Sequence, residues 1–303
     1  MSLIQKKHRK NYSLLVFVLP AMIFVFIFNY IPMYGILIAF QDYIPGDPIL
    51  SRDAMWVGFD HFKRFFTDFR FWQLMKNTFL LSFQGFLIGF PLPIIVALLL
   101  NSMRSTKASK RLQTLYYAPH FISLVVLVGM LYIFFGEYGL INNIAVALGG
   151  KRYSYFLEQN AFRPLFILSG NWQDFGWSAI IYLAALSGVD PTLHEAAVMD
   201  GASRFKRVLY IDLPAIFPTI SVILILSIGN LLSVGYEKVL LMQTGGNIAV
   251  SEVISTYVYK IGLTGIPEYG YATAIGLFNA MINVSLLIFA NMTARRFSEN
   301  TLW

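Results

Sequence analysis

Long apolar runs recur along this chain, and they constrain its fold more than any other feature. They lie at about residues 14–40, 75–100, 113–136, 163–187, 215–234 and 271–293. Each is close to or longer than the roughly 20 residues that a helix needs to cross the ~30 Å hydrocarbon core of a bilayer. Backbone polar groups in lipid must be bonded within the structure, which favours helices. The sequence therefore predicts an all-α polytopic membrane protein with six transmembrane helices.

Composition agrees with that class and argues against several others. Hydrophobic residues make up 57% of the 303 residues and charged residues only 13%, which is incompatible with an ordinary soluble domain. The chain contains no cysteine, and its four histidines form no HExxH pair, so no metal site is predicted. Ala145 stands where a phosphate-binding loop ending at Gly150-Lys151 needs its first glycine. The chain is therefore not expected to bind ATP or another cofactor itself.

Basic residues between the apolar runs predict the orientation in the membrane. One short loop has no acidic residue and contains Arg104, Lys107, Lys110 and Arg111. Such loops lie on the cytoplasmic side, so the termini, with a tail at about 1–12, and the interval 188–214 are predicted to be cytoplasmic. The pI of about 9.4 is explained by basic residues that face anionic lipid. Membrane lipid rather than nucleic acid is thus the expected partner of this positive charge.

The interval EAAVMDGASRFKRVLYIDLP, from Glu195 to Pro214, is the longest strongly polar stretch late in the chain. A short helix is predicted to begin at Asp190-Pro191, a capping residue followed by the favoured first helical residue. Asp200-Gly201 is typical of a turn. A second short helix is predicted from its cap at Ser203 to Pro214, which is expected to end it.

Within that interval, Glu-Ala-Ala is followed by Gly201, nine residues, Ile211, one residue and Leu213-Pro214, which is the spacing of the EAA loop. The sequence on these residues resembles membrane subunits of ATP-binding-cassette (ABC) importers, in which this loop is a cytoplasmic coupling helix seated on the ATPase subunit. Periodicity alone leaves an ordinary amphipathic surface turn equally open. The resemblance implies ATPase-coupling contacts at Glu195, Ala196, Ala197, Asp200 and Gly201.

Nearly the whole chain shares this resemblance, which implies a single type I ABC importer transmembrane domain over residues 1–303, with the EAA coupling loop at about 188–214. The segments at 19–43 and 57–66 resemble the permease branch for oligosaccharides such as aldouronate and alginate fragments, and more distantly the maltose permease. Such importers combine two homologous permease subunits, here expected as a heterodimer, with two ATPase subunits that bind ATP and Mg. An extracellular lipid-anchored or periplasmic binding protein delivers the substrate. The resemblance thus implies a multi-pass protein of the bacterial cell membrane.

The fourth apolar run is the most polar of the six and supplies candidate substrate contacts. Sugars are bound by carboxylates, amides and flat aromatic faces, and polar groups are costly in a membrane unless they face a cavity or a neighbour. Asp174 is the only carboxylate inside a predicted span, although a structural hydrogen bond to Gln84 or Asn230 would also explain it. Interhelical hydrogen bonding is likewise an alternative for the asparagines of the last two runs. The predicted substrate path comprises Trp172, Asp174, Trp177, Asn230 and Ser233.

The sequence also bears on three alternative functions. An ion-coupled secondary transporter would need more intramembrane charge and an inverted repeat, and neither is evident. A membrane-embedded hydrolase or transferase lacks a GxSxG, an HExxH or a pair of carboxylates in a span. An importer of the same family that carries a peptide or an amino acid stays open, because the EAA loop is shared across importers.

Overall fold

The computed structural model describes residues 16–52 and 54–297, so the predicted tail at about 1–12 lies outside the described residues. Helices dominate, and the sheet-like pairing in the described part is an isolated bridge between Gln41 and Trp56. The helices that cover the first half of the chain are α1 (Val16–Phe40), α2 (Asp60–Thr67), α3 (Phe71–Gly89), α4 (Pro91–Asn101), α5 (Thr106–Tyr117), α6 (Leu124–Phe135) and α7 (Leu140–Ala147). The remaining helices are α8 (Gln159–Leu186), α9 (Pro191–Met199), α10 (Arg204–Arg207), α11 (Leu213–Gly229), α12 (Tyr236–Met242), α13 (Ile248–Ser251), α14 (Ile254–Leu263) and α15 (Tyr269–Phe297).

Five segments of the described chain are long and apolar enough to cross a membrane. They are Val16–Phe40, Phe71–Asn101, Leu124–Ala147, Arg204–Gly229 and Tyr269–Arg296. The predicted fourth span forms α8, a continuous helix of 28 residues. At 1.5 Å per residue α8 is about 42 Å long, which exceeds the hydrocarbon core, but its polar residues lower its mean hydropathy. The all-α prediction is confirmed, and the arrangement is compatible with six crossings.

The third predicted span, 113–136, has the wrong boundaries. Residues up to Tyr117 belong to the amphipathic helix α5, and the apolar helix α6 begins only at Leu124. Pro119 lies between them, and Ser123 adopts an extended conformation and caps α6 by accepting a hydrogen bond from the amide of Val126. The apolar pattern runs through this break because Tyr116 and its neighbours are hydrophobic, while proline and the serine cap interrupt the backbone.

The prolines in the first two predicted spans alter the helices around them. Helix α1 widens its turns over Phe26–Tyr30 and tightens them over Ile31–Phe40, next to Pro32. The second predicted span is interrupted at Phe90, so that α4 starts at Pro91. Both changes follow from the missing amide hydrogen of proline and the crowding of its ring against the preceding turn.

Contacts within the chain form two units. Among the described residues, one unit comprises those up to Thr67 together with Lys260–Leu277, and the other comprises Asp68–Tyr259 together with those from Phe278 onward. In the first unit, Arg64 of α2 forms an ion pair with Glu268 and lies over the ring of Tyr271, with its guanidinium carbon 4.1 Å from the ring centre. The single transmembrane domain over 1–303 stays a prediction.

The second unit is built around α8. Ile94 and Ala97 of α4 share one apolar cluster with Ala179 and Tyr182 of α8 and Ile216 of α11. A second cluster joins α3, α6, α8 and α12 through Leu81, Val128, Leu131, Phe162, Leu165 and Val239. Helix α8 is therefore packed against other helices near both of its ends, and its polar residues lie between these two clusters.

Candidate functional site

Helix α9 forms the first half of the predicted coupling loop, as the capping residue and proline at Asp190-Pro191 indicate. Asp190 is extended, and its carboxylate accepts a hydrogen bond from the amide of Thr192 at 2.9 Å. This backbone hydrogen bond lowers the pKa of Asp190 below its ordinary value. The helix ends at Met199, and Gly201 follows with a positive φ of 74°. The predicted helix start and turn are thus present.

The predicted coupling residues lie together on the exposed part of this loop. Glu195, Ala196 and Asp200 are exposed, and Ala197 is half-buried. Met199 is 86% exposed, and no residue of α9 is buried. A short helix with exposed alanines, a carboxylate and an uncovered methionine presents a surface on which another chain can approach closely.

The second half of the loop differs from the prediction. Ser203 caps α10 by accepting from the amide of Lys206, but Pro214 does not end the helix. Helical backbone continues through a widened turn at Val208–Asp212 directly into α11. The widened turn lets the amide of Leu213 reach the carbonyl oxygen of Val208, five residues earlier, so the proline is accommodated without a break.

A polar cleft of about 490 Å³ lies beside α9. The ends of α4 and α8, helices α9 and α10, and the widened turn before α11 surround it. The charged and amide side chains that line this cleft are Asn101, Arg104, His194, Glu195, Arg204, Arg207 and Asp212. Positive side chains predominate, so the cleft favours an anionic group of a partner.

A buried carboxylate in this cleft escaped the sequence analysis. Asp212 is 2% exposed, its Oδ1 lies 3.2 Å from Nε2 of His194, and the same oxygen accepts a hydrogen bond from Nδ2 of Asn101 at 3.2 Å. Aspartate and histidine are common in cytoplasmic loops, so the sequence did not mark Asp212 and His194 as a pair. The signal that could have done so is the carboxylate directly before Leu213-Pro214, at the edge of an apolar run.

The polar residues of α8 divide between two faces. Asp174 lies 3.0 Å from Nδ1 of His120, and the His120 ring stacks on Trp177 with centres 4.6 Å apart and an angle of 6°. Phe121 meets Trp177 edge to face at 5.7 Å. Asp174 therefore has a partner that was not predicted, in place of Gln84 or Asn230. We call His120, Phe121, Asp174 and Trp177 the polar-aromatic cluster.

Trp172 does not join this cluster. Because successive helical residues are rotated by about 100°, Trp172 lies about 200° around the helix from Asp174. It lines a separate, mostly apolar cleft of about 600 Å³ together with Tyr153, Tyr155 and Ser169. The two tryptophans of the predicted path consequently face different surroundings.

Of the two predicted path residues that follow α11, Ser233 contacts the last helix and Asn230 does not. Ser233 accepts a hydrogen bond from Nδ2 of Asn283 at 2.9 Å, and Oδ1 of Asn283 accepts one from the amide of Leu232 at 3.1 Å. Asn230 is exposed and donates to the carbonyl of Leu226 on its own helix. In the described part of the chain, no hydrogen bond joins either residue to Asp174. Ser233 and Asn283 thus form an interhelical hydrogen bond, which is the alternative to a role in the substrate path.

One buried lysine close to α8 was also missed by the sequence analysis. Lys238 of α12 is 7% exposed, and its Nζ donates to the carbonyl oxygen of Phe166 at 2.9 Å. The absent side chain of Gly170 makes this approach possible, because an added Cβ would lie 2.9 Å from Nζ. The sequence placed Lys238 in an external segment, which concealed its burial. In the described residues, no group of three or more His, Asp or Glu side chains could hold a metal ion.

Known proteins resemble this chain over nearly its whole length. Residues 89–299 match the family described as "Binding-protein-dependent transport system inner membrane component". The polygalacturonan/rhamnogalacturonan transport system permease protein YteP of Bacillus subtilis (strain 168) is 44% identical over 304 residues, which cover 100% of this chain and 92% of that protein. Protein LplB of the same organism is 41% identical over 299 residues, which cover 98% and 92%.

A solved structure has the same fold. It is described as the crystal structure of a bacterial alginate ABC transporter in complex with alginate pentasaccharide-bound periplasmic protein. One of its chains superposes with a TM-score of 0.86 at 37% sequence identity, and the match covers 98% of this chain and 99% of that chain. The arrangement of helices around α8 and the loop after it are therefore shared with a chain of an ABC transporter.

Proposed function

The chain belongs to the family of inner membrane components of binding-protein-dependent transport systems, and from this premise we propose that it forms one half of a translocation path for oligosaccharides. It is a non-enzymatic permease subunit of an ABC importer, with the type I importer fold, and it resides in the membrane as a multi-pass protein. The sugar cargo, the composition of the complex and the roles of single residues are the parts that we propose.

The exposed surface of α9 carries the proposal of ATPase coupling. Glu195 and Ala196 are exposed, Met199 is largely uncovered, and the helix has no buried residue that would explain its composition by packing within this chain. Glu195 would pair with a basic side chain of the ATPase subunit, while Ala196 and Ala197 let its surface come close. Gly201 adopts the positive φ that lets the chain turn between α9 and α10.

The polar-aromatic cluster supports a carbohydrate as the cargo. The side chain of Asp174 is 60% exposed in the middle of a membrane-length helix, and contact of a carboxylate with lipid is costly. This face is therefore expected to meet a water-filled path between two permease subunits. Trp177 and Phe121 offer flat faces for sugar rings, and Asp174 and His120 offer groups for sugar hydroxyls. We add His120 and Phe121 to the proposed path.

The names of the relatives point to the same class of cargo. YteP is named for the transport of polygalacturonan and rhamnogalacturonan, and the structural relative carries an alginate pentasaccharide on its periplasmic protein. Fragments of such acidic polysaccharides are thus the first substrates to test. Trp172, Asn230 and Ser233 also belong to the proposed path, but they lie apart from the polar-aromatic cluster.

The proposed complex contains this chain, a second homologous permease subunit, two ATPase subunits and an extracellular lipid-anchored or periplasmic binding protein. Both termini and the coupling loop would lie in the cytoplasm. ATP and Mg would be bound by the ATPase subunits, whose closure moves α9 and opens the path to receive sugar from the binding protein. Hydrolysis would then return the path to its inward-facing state.

ATPase stimulation tests the proposal. The chain is purified with the subunits that co-isolate, and hydrolysis is measured with the binding protein in the presence of acidic oligosaccharides, neutral oligosaccharides or peptides. We expect stimulation by one class of oligosaccharide, and loss of that stimulation in Glu195→Lys. Stimulation by a peptide or an amino acid would reject the sugar cargo but leave the assignment as an importer permease intact. A wild-type preparation with neither an ATPase subunit nor stimulation would reject the proposed coupling.

A further inference from the structure

Asp212 is a buried carboxylate at a junction of three helical segments. It closes the widened turn that leads from α10 into α11, and only 2% of its surface is exposed. A buried charge is costly unless it is paired or hydrogen-bonded. One oxygen of Asp212, Oδ1, lies 3.2 Å from Nε2 of His194 and accepts a hydrogen bond from Asn101 at 3.2 Å. The carboxylate thereby joins α9, the end of α4 and the start of α11.

The contact with Asp212 links α9, which has no buried residue, to the neighbouring helices. No residue of α9 is buried, so apolar packing does little to fix its orientation on the helices above it. Within the described residues, one polar side-chain contact links α9 to another helical segment, and it is the contact between His194 and Asp212. His194 directly precedes Glu195, on the same helix that presents the coupling surface.

The charged side chains around this junction are mostly positive. His194 and Glu195 face the cleft from α9, Arg204 and Arg207 face it from α10, and Arg104 faces it from the loop after α4. Arg207 attracts the carboxylate of Asp212 in addition to His194. Three arginines outweigh the single neighbouring carboxylate of Glu195, so the pair lies in a positive environment.

We propose that Asp212 is a positioning residue that transmits the movement of the coupling helix to the transmembrane helices, by holding His194 of α9 and Asn101 of α4 on one carboxylate. The inference rests on the proposed function, since it concerns the path from ATPase to membrane domain. A movement of α9 pulls on Asp212 through His194, and Asp212 is continuous with α11 through helical backbone. The bond to Asn101 carries the same displacement to α4.

Variants of His194 separate this role from a structural one, because His194 is only half-buried and its replacement is expected to leave the fold intact. His194→Leu removes the bond to Asp212, whereas His194→Gln keeps an N–H donor that can reach the carboxylate. We expect the ATPase subunits to co-isolate with both variants as with wild type, because the exposed surface of α9 is unchanged. Stimulation of hydrolysis by sugar-loaded binding protein should fall at least about fivefold in His194→Leu, the lower end of ordinary coupling between sites. It should stay near wild type in His194→Gln.

An exchange variant tests the pair directly. Asp212→Leu, which is close in size but has no acceptor, should show the same loss of stimulation. His194→Asp combined with Asp212→His restores the pair in reverse, with the amide of Asn101 turned to suit. Asp190→Asn is the matched control, since it removes an exposed carboxylate of the same loop while asparagine caps a helix as well as aspartate does. We expect recovery in the exchange variant and no loss in the control.

The outcomes distinguish this inference from the proposed function. Loss of stimulation with the ATPase still bound, and recovery in His194→Gln and in the exchange variant, supports the positioning role. Unchanged stimulation in His194→Leu and Asp212→Leu overturns it. Loss of the ATPase subunit together with stimulation also overturns it, because the pair would then only shape the docking surface. Failure of the exchange variant to recover overturns the role of the pair. If wild type itself recruits no ATPase, the proposed function fails instead.

Discussion

Single residues of this permease matter where polarity and membrane burial conflict. Asp174 is the clearest case, because its carboxylate is exposed on a helix of membrane length and is held by His120 at 3.0 Å. His120 is held in turn between this carboxylate and the face of Trp177. Such an arrangement fixes the orientation of the imidazole and leaves one carboxylate oxygen for another donor. A group that must be kept out of lipid is thereby prepared for a polar ligand.

The first prediction concerns this carboxylate. Replacing Asp174 with alanine should lower the sugar-dependent stimulation of ATP hydrolysis about tenfold, because a hydrogen bond to a charged group contributes about 1.5–3 kcal/mol. The basal rate and the amount of co-isolated ATPase should stay as in wild type, since α9 is not altered. Asp60→Asn is the control, as Asp60 is exposed and its ion pair with Lys63 is worth little. Equal stimulation in wild type and Asp174→Ala would remove Asp174 from the path.

The second prediction concerns Gly201. Its φ of 74° lies in the left-handed region, where a β-branched residue is strained, although nothing lies within 4 Å of an added Cβ. Gly201→Val should therefore distort the turn after α9 and reduce the amount of ATPase subunit that co-isolates, while Gly201→Asn should be tolerated because asparagine adopts this conformation readily. Equal co-isolation in the two variants would show that open space, and not backbone conformation, decides what position 201 accepts.

At the scale of elements, the close contact of α8 with α5 shows what periodicity cannot predict. Gly176 faces the backbone of Tyr116, and an added Cβ would lie 2.0 Å from that carbonyl oxygen. The sequence shows a glycine in an apolar run but not the neighbour that requires it. The start of α9 could be predicted, because a cap followed by proline is a local signal. The continuation of the helix through Pro214 could not be predicted, because a widened turn does not change the hydrophobic pattern of the sequence.

The third prediction tests the packing of α8. Gly176→Ala should destabilise the protein by about 1–3 kcal/mol, the usual cost of overpacking, because the added Cβ would clash with the backbone of Tyr116 and not with the end of a flexible side chain. Thermal unfolding of the detergent-solubilised protein, followed by retention of the monodisperse fraction, should show a lower midpoint. Gly85→Ala in α3 is the matched control, as nothing lies within 4 Å of its added Cβ. If both variants unfold at the wild-type temperature, the close contact of α8 with α5 is absent in solution.

The fourth prediction concerns the ion pair of Arg64 and Glu268. The hydrogen bond from the Arg64 side chain lowers the pKa of Glu268 below its ordinary value of 4.5. A carboxyl group with a lowered pKa in the folded state stabilises the fold above about pH 4.5 and loses that contribution as the pH falls through the lower value. The stability difference between wild type and Glu268→Gln should therefore be present at neutral pH and disappear in acid. Both side chains are about half exposed, so solvent screens the effect.

The control for this pH dependence is Glu237→Gln. Glu237 is exposed on α12, and no ion pair joins it to another side chain in the described part of the chain. Thermal midpoints measured between pH 3 and 7, which span the ordinary titration of a glutamate, should show no pH-dependent gap for this variant. A gap for Glu268→Gln that persists in acid would mean that the carboxylate charge is not what stabilises the first unit.

For the whole molecule, the class of protein could be predicted from sequence because apolar length and loop spacing are properties of the chain alone. Composition and the EAA spacing led to an importer permease, and the family match agrees. The clusters around the site could not be predicted, because His120 lies 54 residues before Asp174 and Asn101 lies 111 residues before Asp212. Their side chains meet only after helices with separate local signals have packed. Long-range pairing, and not local structure, is what the sequence left undetermined.

The last prediction concerns orientation and assembly together. Because the chain contains no cysteine, single cysteines can be introduced without background. A membrane-impermeant maleimide added to intact cells should label Ile266→Cys, which is 93% exposed in a segment predicted to be external, and should not label Met199→Cys. Permeabilised cells should label Met199→Cys strongly only when the ATPase subunits are absent, since the ATPase would cover α9. Labelling of Met199→Cys in intact cells would reverse the orientation. Equal labelling with and without the ATPase would mean that α9 is not the docking surface, whatever the orientation.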